Sequence, residues 1–181
     1  LSGFDCADRI AAVCAAGCLL AYVKETQRTE LPHINSMRLV QHNDAVIIDP
    51  ASRRNLELDT NISGGSENTL FEVIDNTRTA MGARLLKRWI NRPIRNREER
   101  EARLNTVANL QESYTYELLQ PPLKQIGDIE RILARVALRS ARPRDLARLR
   151  DSLQVLPELH QLLATLELPE INDRLGTLAT Q

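Results

Sequence analysis

The stretch Asn61 to Asn76, NISGGSENTLFEVIDN, places a Gly-Gly pair directly before a helix-like run. Glycine turns that open onto helices can bind phosphate, because their backbone amides point at the anion. A P-loop also needs a lysine that reaches the phosphates, and the sequence contains no Gly-Lys dipeptide and no G-x-G-x-x-G pattern. Gly64-Gly65 is therefore predicted to turn the chain rather than to bind phosphate.

Thiols and imidazoles are the other side chains whose chemistry could matter. Cys6, Cys14 and Cys18 lie in the first helix-like stretch, and the spacing of the last two could place a metal or redox pair on one helix face. Packing of small thiols in a crowded helix face is the favoured interpretation. The three histidines are scattered along the chain, at His33, His42 and His160. These patterns predict no metal site and no catalytic residue.

Positive charge is concentrated in two runs, although the formal net charge is zero. Nine basic and three acidic residues lie between Arg78 and Arg103, and seven arginines accompany one aspartate between Arg131 and Arg150. Arginine forms bidentate bonds to carboxylates as well as to phosphates, so two interpretations stay open: pairing with carboxylates of other domains, and contact with DNA. The candidates for DNA contact are Arg139, Arg142, Arg144 and Arg148.

The composition predicts the elements that must position these side chains. Leu, Ile, Val and Ala are abundant and aromatic residues make up only 3%, which favours a mainly all-α fold. No apolar run approaches the roughly 20 residues that span a bilayer. The odd number of cysteines and the lack of a secretory signal predict a reducing, cytoplasmic location. The start at Leu1 rather than Met suggests an excised piece of a longer protein.

The first part of the chain predicts one helix and a small β-hairpin-like segment. Ala7 to Thr26 is apolar on more than one side, which predicts a well-buried helix. Met37 to Val40 and Ala45 to Ile48 are short β-rich runs on either side of a turn, and they predict the hairpin. A third short strand is predicted at Asn55 to Leu58.

After Glu67 the pattern is helical, with proline as the main interruption. The predicted N-caps are Asn68, Thr79, Asn96 and Asp128. Pro93 is predicted to end the helix that Thr79 begins. Pro121-Pro122 is expected to interrupt the chain, Pro143 to begin a helix and Pro157 to split it.

Apolar stripes on these helices predict the core. They are Met81, Leu85, Leu86, Trp89 and Ile90; Ile129, Ile132, Leu133 and Val136; and Leu146, Leu149, Leu153 and Leu156. Trp89 is expected to lie in the core because it belongs to the first stripe.

Four blocks of the sequence resemble one protein family and occur in that family's order. They are AAGCLLAYVKETQRTELPHI, NTLFEVIDNT, TRTAMGARLLKRWINRPI and GDIERILARVALRSARPRDLARLR. The chain resembles an interior piece of the MutS family of bacterial DNA mismatch repair proteins. The resemblance covers almost the whole chain. It implies that residues 1–30 are the last helix of the connector domain and residues 31–181 the first half of the helical core, or lever, domain.

The resemblance also implies the setting of this segment. The complete protein would be a cytoplasmic, homodimeric ATPase that uses ATP and Mg and binds mismatched duplex DNA, and the segment's partners would be the connector, clamp and ATPase domains. The family's Phe-X-Glu mismatch motif is absent here, since Phe4 precedes Asp5-Cys6 and Phe71 precedes Glu72-Val73. The Walker sequences are absent as well, so no catalytic, cofactor-binding, metal-binding or mismatch-reading residue is assigned.

Two functions follow as expectations. The first is a structural segment without its own catalytic site, which couples the DNA-holding clamp to the ATPase through packed helices. The alternative is a freestanding Arg-rich helical DNA-binding module.

Overall fold

The computed structural model describes residues 9–27, 34, 45–112 and 114–164. In this part of the chain the fold is mainly all-α, as predicted. The helices are α1 Ile10–Gln27, α2 Pro50–Asn55, α3 Leu70–Ile74, α4 Ala80–Asn91, α5 Arg97–Glu112, α6 Thr115–Gln125, α7 Ile129–Ala137 and α8 Pro143–Ala164. The helix pairs that pack most closely are α3/α4, α5/α6, α6/α8 and α7/α8.

Side-chain caps begin most of the predicted helices where the sequence places them. The Thr79 hydroxyl accepts from the Gly82 amide at 3.0 Å, and the Asn96 side chain accepts from the Glu99 amide at 3.1 Å. Asp128 caps α7 by accepting from the amide of Arg131. These three caps are confirmed, because each satisfies an amide that has no partner within its own helix.

The predicted cap at Asn68 is wrong by one residue. Thr69 is the N-cap of α3, and its hydroxyl accepts from the Glu72 amide at 3.3 Å. Asn68 instead has a positive φ of 58° and donates its amide to the Glu72 carboxylate. The two bonds form a capping box that is shifted by one residue, and Thr69 is fully buried within it.

The core centres on the packing of α6 against α8. Leu119 of α6 and Val155 and Leu159 of α8 are buried together. Partly buried neighbours complete this cluster: Leu110, Leu123, Ile126, Leu162 and Leu163.

Two of the proline predictions are wrong, because the helices continue through these residues. Pro121 and Pro122 lie inside α6, where Pro122 is buried. Pro157 lies inside α8, which runs unbroken over 22 residues. A helix can retain an interior proline when its apolar face is held by tertiary packing, and both helices are held by the shared core.

The buried face of α8 differs from the predicted stripe. Leu146, Leu153 and Leu156 are exposed, whereas Ser152, Val155 and Leu159 are buried. The helix carries apolar residues on two adjoining faces, and sequence periodicity could not say which face meets α6. In α7 the prediction succeeds in part, since Ile132 is only 2% exposed while Leu133 and Val136 of the same stripe are exposed.

The expectation that Trp89 is a core residue is wrong. Its side chain is 39% exposed, and the Arg103 guanidinium stacks over the ring with its central carbon 3.9 Å from the ring centroid. Arg103 also donates to the Glu99 carboxylate, which holds it in place along α5. A cation–π contact therefore joins α4 to α5 at a half-exposed position.

The expectation that the first helix is well buried is also wrong. No residue of α1 is buried, and Leu19 and Tyr22 are each 64% exposed. Cys14 and Cys18 are free and exposed, so they do not fill a packed helix face. Cys6 lies outside the described residues.

The β-hairpin-like segment is described only in part. Ala45 forms an isolated antiparallel bridge with Ile94, and the Val46 amide donates to the Pro93 carbonyl at 2.8 Å. Met37 to Val40, the other half of the predicted hairpin, lies outside the described residues. The third strand predicted at Asn55 to Leu58 is wrong, because Asn55 is the last residue of a short helix, α2, and residues 56–58 turn the chain after it. Asp49 caps this helix, which begins with Pro50.

Candidate functional site

The connection between α6 and α7 is pinned by a buried hydroxyl of α8. Ser152 is fully buried, and its Oγ accepts from the Gly127 amide at 2.9 Å. The same oxygen donates to the carbonyl of Arg148 at 2.7 Å, one helical turn earlier. A Cβ at Gly127 would lie 2.8 Å from Cγ of Arg148, so only glycine fits without displacing that side chain.

A cluster of ion pairs ties α4 to the start of α7. Arg84 donates to both carboxylate oxygens of Asp128, at 2.8 and 2.7 Å, and to Glu130 at 2.7 Å. Arg84 and Asp128 are 44 residues apart in sequence. We call this set of three side chains the Arg84 cluster. It is a charge-assisted, bidentate arrangement, which fixes the geometry of its partners more strictly than a single contact does.

Pairing within the Arg84 cluster shifts the pKa of Asp128 and of Arg84. The hydrogen bond from Arg84 holds the pKa of Asp128 below its ordinary value, and the Arg131 amide adds to this effect. The pKa of Arg84 is raised by Asp128 first and Glu130 second. Asp128 therefore stays ionised while it serves both as the cap of α7 and as the partner of α4.

Two further polar contacts attach neighbouring elements. Arg78, just before α4, donates to the side-chain oxygen of Gln120 in α6 at 2.6 Å. Arg135 of α7 pairs with Asp145 of α8 at 2.9 Å. The pKa of Asp145 is lowered, first by the Arg142 amide and then by Arg135. Arginines of both basic runs are thus used for contacts between helices.

The four candidates for DNA contact lie around the α7–α8 connection and the start of α8. Arg139 has a positive φ of 53° in the connection, Arg142 precedes α8, and Arg144 and Arg148 lie on its first turns. All four are exposed, and within the described part of the chain their guanidinium groups form no ion pair. Arg148 lies against Gly127. We call these four residues the Arg corner.

The glycine loop has the geometry of a turn, as the sequence predicts. Gly64 has a φ of +86°, which favours glycine, and its amide donates to the carbonyl of Asn61 at 2.9 Å. The Asn61 side chain accepts from the Gly65 amide at 2.8 Å and donates to the carbonyl of Glu67 at 3.1 Å. The amides of both glycines are thus used inside the loop itself.

No group of three or more His, Cys, Asp or Glu side chains among the described residues could hold a metal ion. No described helix is both long enough and apolar enough to cross a membrane.

No local sequence pattern predicts the contacts of the Arg84 cluster or the Gly127–Ser152 bond. Asp128 is predictable as a helix cap, but its partner Arg84 lies on another helix. Ser152 lies next to the predicted leucine stripe of α8, and nothing in the local sequence distinguishes it from other polar residues. Proximity in the fold is what makes these side chains important.

The fold and these contacts define a helical domain, in which arginine–carboxylate pairs and a buried serine connect packed helices. The sequence profile of MutS domain III matches residues 51–180. The chain belongs to the MutS domain III family and is part of a MutS-type DNA mismatch repair protein. The matched range lies within the predicted core segment, residues 31–181, and the boundary at residue 30 stays a prediction.

Proposed function

We propose that this chain couples the DNA-holding clamp of a MutS-type protein to its ATPase domain and has no catalytic site of its own. The observation that carries the proposal is the Arg84 cluster, which ties α4 to α7 across 44 residues of sequence. A coupling element needs helices that move as one body, and a bidentate ion pair between two helices supplies such a tie.

The length of α8 supports the same role. Its 22 residues extend about 33 Å at 1.5 Å per residue, and Val155 and Leu159 anchor it to α6. A displacement at one end of such a helix is carried to the other end, because the helix is stiff and its core face is packed.

We also propose the cofactors, the oligomeric state and the partner domains of the complete protein. ATP and Mg would bind in the ATPase domain of the complete protein. The complete protein would bind mismatched duplex DNA as a homodimer. The connector, clamp and ATPase domains would contact this segment. The exposed arginines would pair with carboxylates of those domains, since paired arginines already join helices within the chain.

Hydrogen exchange tests the coupling role. In Arg84→Gln, the amides of α4 and of the first turns of α7 should exchange faster together, by about tenfold, because the tie between them is lost. Exchange is measured by mass spectrometry on the 181-residue chain. Arg100→Gln is the matched control, since Arg100 is exposed on α5.

The outcome that contradicts the proposal is equally specific. If exchange accelerates in α4 alone, or not at all, the Arg84 cluster does not transmit between the two helices. An equal response to Arg100→Gln would show that loss of charge, rather than loss of the tie, is responsible.

A DNA-binding module is the second candidate, because the Arg corner is exposed and its guanidinium groups are without ion pairs among the described residues. Four clustered positive charges are a suitable surface for phosphates.

A further inference from the structure

A groove runs beside α2 and the glycine loop. A cavity of about 540 Å³ is lined by residues of α2 and of the following loop, including Arg53, Arg54 and Gly64. A second cavity of about 280 Å³ is lined by residues 45–48, Arg53, Asn91 and Arg92. Both cavities include Ile48 and Arg53, so they form one surface, which we call the α2 groove.

The α2 groove carries positive charge without matching carboxylates. Within the described part of the chain, the side chains of Arg53, Arg54 and Arg92 form no ion pair. The one carboxylate among the lining residues, Asp59, pairs with Lys87 at 3.2 Å and accepts from Asn91 at 3.2 Å. The three guanidinium groups are therefore available to an anionic partner.

Apolar side chains border the same groove. Ile47 is 73% exposed and Ile62 is 74% exposed, and Ile48 and Pro50 also line the cavities. Large aliphatic side chains at this exposure contribute buried area when a partner covers them. The mixture of arginine and isoleucine fits a ligand that is both acidic and aliphatic.

A backbone-like partner is indicated by an unsatisfied acceptor. Oδ1 of Asn91 is buried and has no hydrogen-bond partner among the residues that the structure describes, although Nδ2 of the same side chain is bonded. The Asn91 residue belongs to the lining of the second cavity, together with residues 46–48, which lie in no helix. A peptide supplies amide donors of the kind that this oxygen lacks.

We propose that the α2 groove binds an acidic, aliphatic peptide segment of a protein partner. The segment's carboxylates pair with Arg53 and Arg54, and its aliphatic side chains cover Ile47, Ile48 and Ile62. The aliphatic border favours a peptide over DNA, because phosphate contacts leave exposed isoleucine without a partner. This surface is separate from the Arg84 cluster and does not depend on the coupling role.

Fluorescence anisotropy with a defined probe tests the proposal. The probe is a fluorescein-labelled, end-blocked pentapeptide, Val-Glu-Ile-Asp-Val, and its neutral counterpart is Val-Gln-Ile-Asn-Val. The acidic peptide should bind the 181-residue chain at least about tenfold more tightly than the neutral one. Arg53→Gln and Arg54→Gln should each weaken binding of the acidic peptide by about tenfold, whereas Arg100→Gln should leave it unchanged.

Four results of the binding measurements overturn the proposal. Three of them concern the peptides: no binding of the acidic peptide at about 1 mM, equal binding of both peptides, and equal binding by all variants. The fourth is binding of a labelled DNA duplex, in place of the peptide, through the same two arginines. Circular dichroism of each variant confirms that the helices are intact. If Arg53→Gln instead shifts sedimentation of the chain toward a smaller species, a second copy occupies the groove, and the peptide assignment is wrong.

Discussion

At the scale of single residues, Ser152 links the α6–α7 connection to α8. Its buried Oγ accepts from the Gly127 amide, and no other bond to that amide is present among the described residues. Gly127 is partly buried, and an amide withdrawn from water that loses its acceptor retains the cost of leaving water. Ser152 therefore contributes to stability mainly by accepting the hydrogen bond of the Gly127 amide.

Ser152→Ala should lower the free energy of unfolding by about 1 to 3 kcal/mol, because the Gly127 amide is left unpaired. Urea denaturation followed by circular dichroism measures the change. Ser140→Ala is the matched control: its hydroxyl also donates to a backbone carbonyl, that of Arg135, but at an exposed position. We expect a change within about 0.5 kcal/mol there. Similar costs at both serines would contradict the role of burial.

The charge of Asp128 gives a pH-dependent contribution to stability. Its pKa in the folded chain lies below the ordinary value of 3.8, chiefly because Arg84 donates to it. A lowered pKa means that the stabilisation is fully present above the unfolded-state pKa and is lost as pH falls through the folded-state pKa.

Asp128→Asn should therefore lower stability by about 1 kcal/mol near neutral pH, since asparagine still caps α7 but cannot form the ion pair. The difference between wild type and variant should shrink as pH falls below 3.8. Urea denaturation at a series of pH values from neutral to acidic measures it. A difference that stays constant over this range would show that the charge of Asp128 is not responsible.

At the scale of elements, α8 is a continuous helix despite Pro157. A proline has no amide to donate to the carbonyl four residues earlier, and it crowds that carbonyl. Pro157 is exposed, so the energy that keeps the helix intact comes from the opposite side, where Val155 and Leu159 pack on α6.

Pro157→Ala should raise the free energy of unfolding by about 1 to 3 kcal/mol, because the missing hydrogen bond can form; part of the gain is offset by the greater entropy of the unfolded chain. Pro143→Ala is the control. Pro143 occupies the first turn of α8, where no intrahelical amide bond is needed, so little or no gain is expected. Chemical denaturation of both variants gives the comparison, and equal effects would contradict this account.

At the scale of the whole molecule, the distribution of arginine decides between coupling and DNA binding. The chain has no net charge, and arginines from both basic runs pair with carboxylates inside the fold. Only the arginines that remain without ion pairs, such as those of the Arg corner, are free to neutralise phosphates.

If coupling is the function, a labelled DNA duplex should not bind the isolated chain in the micromolar range at about 0.15 M salt. Anisotropy measured over a series of salt concentrations tests this expectation. Micromolar binding would favour the DNA-binding module instead. In that case, replacement of Arg144 or Arg148 by Gln should reduce the dependence of log affinity on log salt by about one unit per contact.

Much of the helical content and several helix starts follow from sequence alone. Thr79, Asn96 and Asp128 cap as predicted, because a cap depends on residues within one turn of the chain. The all-α class follows from composition and periodicity for the same local reason. Asn68 shows the limit, since two neighbouring residues could both cap and the fold selected Thr69.

The tertiary structure alone decided which apolar faces are buried and which polar groups meet. The leucine stripe of α8 was a valid periodic pattern, yet α6 packs on the adjoining face, and Trp89 lies under Arg103 rather than in the core. The Arg84–Asp128 pair, the Gly127–Ser152 bond and the α2 groove join residues that are distant in the chain. Local sequence determines what each segment can form, whereas the contacts between segments depend on a balance of packing that no single segment contains.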